Sequence, residues 1–150
     1  MKQLPELSNF QIEEYFAGHP AFLGCFAKDD IPSKLACKTG CIVINMDNKS
    51  GGGTHWIVLL LNKYESVYVD SFGMTPSENV LTFMRRCAKP MFFSDIQLQD
   101  LKSSSCGWFC CAVGYECAVK GRDILDVLFK TFGKTPQHSE RALLKYFQAN

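Results

Sequence analysis

No part of this 150-residue sequence is apolar over the roughly 20 residues that crossing a bilayer demands; even the strongly apolar Trp56 to Leu61 stops at Asn62 and Lys63. The N-terminus also lacks the apolar centre of a signal peptide, because Met1 to Glu14 carries Lys2, Pro5, Glu6, Glu13 and Glu14. A soluble protein of the cytosol or nucleus, with no membrane partner, is therefore expected. Charge of one sign is missing too: Lys and Arg total 16 against 15 for Asp and Glu. That balance removes any composition-level case for nucleic-acid or membrane-surface binding and leaves only local clusters. There is no internal repeat and no low-complexity linker. With 47% hydrophobic and 13% aromatic residues the chain can bury one sizeable core but not two, so residues 1–150 read as a single domain.

Cysteine, by contrast, is plentiful, at positions 25, 37, 41, 87, 106, 110, 111 and 117. A disulfide scaffold needs an oxidising compartment and a small core, and neither is expected here. A structural zinc site is the alternative, giving a cysteine-rich zinc or interaction module. Its usual tight paired knuckles are not matched, since Cys37 and Cys41 form one pair while Cys106, Cys110, Cys111 and Cys117 fall within one predicted helix. No metal is assigned, and most of these cysteines read as small buried apolar residues.

Ser8 or Asn9 caps a first helix over about residues 9 to 17, stopped by Gly18 and Pro20. Residues 21 to 40 show no period and read as a packed loop. Cys41 to Met46 reads as a buried strand, and the glycine-rich Asp47 to Gly53 as a flexible loop leading to His55. Trp56 to Leu61 and Val67 to Val69 form a predicted antiparallel hairpin. Thr75, Pro76 and Glu78 provide a cap, a first-turn proline and a first-turn acid for a helix to about Arg86. Met91 to Phe93 and Ile96 to Leu98 are short strand candidates, followed by helices over Cys106 to Val119, Ile124 to Phe132 and Arg141 to Phe147. The irregular order, without a βαβ period, indicates an α+β class.

Chemistry concentrates at three places. Cys106 follows Ser103, Ser104 and Ser105, any of which can cap its helix, and a helix N-terminus favours the thiolate that acts as nucleophile. Gly107 leaves room for a substrate backbone beside it. In the hairpin, an even-numbered loop sets His55 opposite position 70 or a position two away, so His55 and Asp70 share one face within roughly 5 to 8 Å at Cβ. Each alone is an ordinary structural residue. Together with Cys106 they make a nucleophile, a base and its orienter. Gln99, seven residues before Cys106, can supply an oxyanion donor beside the Cys106 backbone N–H; Gln97 is equally suited by residue type. Trp56 and Trp108 can wall a cleft or fill the core.

Gly52-Gly53-Thr54-His55-Trp56, Val69-Asp70-Ser71-Phe72-Gly73 and Ser105-Cys106-Gly107-Trp108-Phe109-Cys110-Cys111 closely resemble the adenovirus maturation protease (adenain) family and its relatives in virophages and Polinton-type elements. The same superfamily includes SUMO-type proteases. With Phe22-Leu23-Gly24 and Pro32 to Cys41, the likeness runs from about residue 8 to about 119. It implies a central mixed or antiparallel sheet flanked by helices, in the adenain/Ulp-like cysteine protease fold, and a papain-like site in the order His55, Asp70, Gln99, Cys106. The adenovirus enzyme has Glu where Asp70 stands, and SUMO-type enzymes have Asp. Gly53, Trp56, Gly107 and Trp108 are the implied substrate-binding residues, for peptides with glycine beside the scissile bond.

The resemblance further implies a viral endopeptidase acting on capsid or virion precursor proteins, at the assembly site and in the virion. It also implies activation by DNA and by a peptide attached through a disulfide. Cys87 lies near the region carrying the peptide-linked cysteine, and Arg85, Arg86 and Lys89 form a small basic patch, but the tail after the nucleophile helix is much shorter here. The sequence itself calls for no cofactor, and a monomer is expected. The competing enzyme reading is a protease of a ubiquitin-like modifier.

Overall fold

The computed structural model describes residues 4–51, 55–133 and 135–149. Five strands form one mixed sheet in the order β1 (Phe22–Ala27), β2 (Gly40–Asn45), β3 (Trp56–Leu61), β4 (Ser66–Val69) and β5 (Met91–Phe93). The two outer pairings are parallel and the two inner ones antiparallel. The α-helices among the described residues are α1 (Asn9–Tyr15), α2 (Glu78–Arg86), α3 (Cys106–Gly114), α4 (Ile124–Asp126) and α5 (Pro136–Ala149).

The three inner strands are apolar on both faces because both are covered, and the pleat sorts their side chains strictly. Val43, Val58, Leu60, Val67 and Val69 pack with Ile12, Phe16, Phe109 and Leu143 on the side of α1, α3 and α5. Ile42, Ile44, Ile57, Leu59 and Tyr68 pack with Val80, Phe83 and Met84 of α2 on the other. At about 1.5–3 kcal/mol for each large apolar side chain taken out of water, these two layers hold the sheet as a rigid floor. Helix α1 starts as expected, with Ser8 and Gln11 closing a reciprocal capping box.

Several expectations need correction. The segment read as a packed loop contains β1 and a 3-10 helix, Ser33–Cys37. All six β1 residues are half-buried at a sheet edge, so the strand leaves no alternating signature. Helix α2 begins at Glu78 after Ser77 rather than after Thr75. Ile96 to Leu98 is not a strand; its backbone runs to Ser71, whose carbonyl accepts from Leu98 N–H at 2.7 Å. Helix α3 continues past Gly114 as a π-helical segment, Tyr115–Val119, and Gly121 ends it with φ 74°. A second π-helical segment, Val127–Thr131, extends α4, and α5 runs well beyond the predicted residues 141 to 147. Among the described residues, no helix is long and apolar enough to cross a membrane.

Candidate active site

The β3–β4 hairpin pairs Val58 with Val69 across a loop from Asn62 to Glu65. Extending that register places His55 across from Phe72 and diagonal to Asp70, the second of the two allowed arrangements. The diagonal is closed by a hydrogen bond of 2.7 Å from His55 Nε2 to Asp70 Oδ1. Asp70 Oδ1 also accepts the Phe72 backbone N–H at 2.8 Å, and the Phe72 ring stacks on the imidazole with centroids 4.6 Å apart. Gly73 turns the chain at φ 73°, where a Cβ would stand 3.0 Å from the Asp95 and Ile96 backbone. The motif Asp70-Ser71-Phe72-Gly73 is thus one local device that grips the ring from edge and face.

The His55 side chain also has Cys106 beside it, near enough to raise its pKa together with Asp70. Since Nε2 is engaged by Asp70, the remaining nitrogen, Nδ1, serves the sulfur. Burial favours the neutral ring, yet the hydrogen bond to Asp70 and the charges of Asp70 and Cys106 outweigh it and hold the imidazole up at about 9. Cys106 is the first residue of α3 and is buried. Burial pushes the Cys25, Cys41 and Cys117 thiols up to about 12 and those of Cys110 and Cys111 well upward, keeping them as inert neutral thiols. All eight cysteines are free.

Gln99 is brought to the same place. Its backbone N–H donates to the Ser71 carbonyl at 2.8 Å, and its Oε1 accepts the Ser71 hydroxyl at 2.6 Å. Nε2 donates to the Ser103 carbonyl at 2.8 Å, which fixes the amide orientation because that carbonyl can only accept. One amide proton remains. Gln97 is exposed and merely donates to the Gln99 carbonyl at 3.1 Å, so the two glutamines, alike by type, are separated by their surroundings.

With this geometry in view, the fold can be compared with solved structures. Two crystal structures of the ASFV pS273R protease match. One is 17% identical, covers 71% of this chain and 43% of that chain, and has a TM-score of 0.52. The other is 16% identical, covers 93% and 67%, and has a TM-score of 0.63. ChlaDub1 from Chlamydia trachomatis matches at 16% identity over 73% of this chain and 57% of that chain, with a TM-score of 0.50. The fold is that of the SUMO-protease-like cysteine proteases. At 16–17% identity this likeness is one of fold. No family model matches the sequence, and no curated protein matches it. The chain spans 43% of the length of the first of these structures.

The predicted substrate-binding residues fare differently. Gly53 lies outside the described residues. Gly107 faces this chain's own N-terminal segment: a Cβ there would stand 3.0 Å from Leu7 Cβ and 3.3 Å from Trp56 Cδ1. Its missing side chain makes room for Leu7. Trp56 is 9% exposed and packs in the core, donating its indole N–H to the Leu7 carbonyl at 2.9 Å. Trp108 donates to the Pro5 carbonyl at 2.6 Å and meets Phe147 edge to face. Trp56 nevertheless lines a cavity of about 620 Å³ with Leu7, Asn9, Asn45 and Gly51, next to His55 in sequence although Cys106 is not part of its wall. Cys87 turns inward, its thiol to the Phe83 carbonyl at 3.6 Å, and burial raises its pKa; both are unfavourable for disulfide attachment of a peptide. Among the described residues no cluster of His, Cys, Asp or Glu is arranged to hold a metal.

Sequence reasoning missed Ser71, Phe72 and Glu140. The first two stand in the quoted motif beside Asp70. Glu140 left no local signal.

Proposed function

We propose that the chain is a cysteine endopeptidase in which Cys106 is the nucleophile, His55 its base, Asp70 the orienter of that base, and Gln99 with the Cys106 backbone N–H the oxyanion donors. The observation that carries this reading is the series Asp70, His55, Cys106, with the carboxylate hydrogen-bonded to the imidazole and the thiol beside it at the N-terminus of a helix. In the reaction, the Cys106 thiolate adds to the scissile carbonyl carbon, and its charge passes to the carbonyl oxygen. Gln99 Nε2 and the first free N–H of α3 stabilise that oxygen. The protonated His55 gives its proton to the departing amine as the C–N bond breaks, leaving a thioester. His55, now neutral, takes a proton from the water that attacks the thioester; the C–S bond breaks, the Cys106 thiolate leaves beside the reprotonated imidazole, and the acid product is freed.

The substrate reading is narrower: capsid or virion precursor proteins cut at glycine-containing sites, as the motif resemblance and the likeness to a viral protease suggest. An activating peptide or DNA belongs to the same reading; the inward Cys87 gives it no support. The likeness to ChlaDub1 favours a second reading, a protease of a ubiquitin-like modifier. Offering a Gly-Gly peptide beside SUMO and ubiquitin C-terminal conjugates separates the two: turnover of the peptide supports the first, and efficient turnover of a conjugate alone reverses the order. Labelling with a thiol-directed peptide electrophile and mapping the modified residue tests the nucleophile, with exposed Cys37 as the control thiol.

A further inference from the structure

Between the oxyanion donor and the nucleophile lies a short loop, residues 100 to 105, with almost no apolar anchorage of its own. Leu101 is 73% exposed and Lys102 and Ser104 are exposed as well. Yet this loop carries the carbonyl that orients the Gln99 amide and the residue that begins the nucleophile helix. One carboxylate from the far end of the chain holds it. Glu140 Oε2 accepts the Asp100 backbone N–H at 2.9 Å and the Ser103 hydroxyl, while Oε1 accepts the Ser105 hydroxyl at 2.6 Å. The two serine hydroxyls also touch, at 2.9 Å, and Gln137 on the same helix donates to Asp100 Oδ2 at 3.3 Å.

Ser105, the residue before α3, makes no side-chain capping bond. Its hydroxyl donates to Glu140 and so ties the start of the helix to α5. Among the described residues Glu140 has no ion-pair partner, so its charge is balanced by these three donors from one loop. Charge-assisted hydrogen bonds are the stronger kind, and three on one carboxylate fix the loop in position and in rotation.

We propose that Glu140, on α5, is a positioning residue of the oxyanion hole: through Asp100, Ser103 and Ser105 it fixes the loop whose Ser103 carbonyl orients the Gln99 amide. The inference rests on the peptidase reading above and adds a residue 34 positions beyond the nucleophile, outside the stretch that resembles the known proteases. Oxyanion donors act because they are preorganised, so a residue that holds a donor still affects kcat without touching substrate.

The test is a double-mutant cycle with two readouts, peptide hydrolysis and alkylation of Cys106 by iodoacetamide, a reaction that forms no oxyanion. Glu140→Ala is expected to lower kcat by roughly 10- to 100-fold, less than the roughly 10²- to 10³-fold loss for a donor itself, with KM and the alkylation rate within about twofold of wild type. Glu140→Gln should recover most of the loss. Its amide oxygen can accept from Asp100 N–H, and its NH₂ can donate to a serine hydroxyl turned round. In a Gln99→Ala background, Glu140→Ala should cost less than about twofold more, because the group it positions is gone. A merely structural glutamate would instead give losses that multiply, with alkylation falling in parallel with kcat. Either result, or wild-type kcat in Glu140→Ala, overturns the proposal. Should Glu140→Ala fail to fold, the same cycle run with Glu140→Gln decides, a several-fold kcat loss that vanishes in the Gln99→Ala background being expected. Failure of the peptidase reading is separate: it shows as retained hydrolysis in Cys106→Ala, whatever the Glu140 variants do.

Discussion

Replacing Asp70 by Asn removes a charge while leaving the ring in place. Asp70 Oδ1 accepts from both His55 Nε2 and Phe72 N–H, and the latter requires an oxygen at that position. The new amide must therefore keep its oxygen toward His55, which keeps its proton on Nε2 and Nδ1 toward the sulfur. What is lost is electrostatic. Two unit charges about 4 Å apart attract by about 4 kcal/mol at an effective dielectric of about 20. The neutral hydrogen bond that replaces the pair returns about 1 kcal/mol. The net loss of about 3 kcal/mol corresponds to about two pKa units. His55, held up at about 9 in the wild type, should fall to near 7 by this arithmetic of about two units. The sign follows: the imidazolium exists below its pKa and disappears as pH rises through it. At pH 8 the wild-type ring is about nine-tenths protonated and the variant ring about one-tenth, a roughly ninefold difference that shrinks below twofold at pH 6. Peptide hydrolysis followed from pH 5.5 to 10 (roughly the span that brackets both values) reads this as a leftward shift of the alkaline limb of kcat/KM. An alkaline limb still near 9 in the variant, or a defect of equal size at every pH, would show that Asp70 is not the group that holds the His55 proton.

Cys106→Ala should abolish peptide hydrolysis, to below about one per cent of wild type, with an unchanged thermal midpoint, since it removes the sulfur and leaves the apolar face of α3 intact. Gln99→Ala should lower kcat by roughly 10²- to 10³-fold with KM and Cys106 alkylation nearly unchanged, whereas Gln97→Ala, which alters only an exposed side chain, should do little. The reverse pattern would move the oxyanion assignment by two residues. Glu116 is buried, and although burial opposes its charge, hydrogen bonds from Arg122, Tyr146 and Lys120 hold its pKa below the usual carboxylate value. Its stabilising contribution is present above the unfolded-state pKa and lost as pH falls through the depressed one. Glu116→Gln should therefore lower the urea midpoint at pH 7 and flatten its fall on the acid side; an acid-side slope as steep as the wild type's would contradict this.

The parts of the fold legible in the sequence are those written in local periodicity. Trp56 to Leu61 and Val67 to Val69 announce themselves because both faces of the sheet are dry, and the parity of the hairpin then brings His55 to Asp70 without any knowledge of the third dimension. Strand β1 was hidden because an edge strand half-buried along its whole length has no apolar alternation to display. The setting of the tryptophans stayed open for a different reason. Residue type says that an indole seeks an apolar wall and a hydrogen-bond acceptor, but only the packed chain shows that the acceptors are Leu7 and Pro5. Glu140 was invisible because hydrogen bonds spanning 35 to 40 residues leave no spacing rule behind.

The contacts that complete the site differ widely in sequence separation, and this has a consequence for biosynthesis. The His55 to Asp70 bond spans 15 residues, Ser71 to Gln99 spans 28, Ser105 to Glu140 spans 35, and Trp108 to Pro5 spans 103. A chain emerging from the ribosome N-terminus first can form the imidazole–carboxylate pair early, and it can expose the thiol while the last helix is still inside the exit tunnel. The loop carrying Gln99 then has no clamp. Until α5 has been made and docked, the Glu140 clamp on that loop is missing, so under the proposed reading the Gln99 donor is set in place after the imidazole–carboxylate pair.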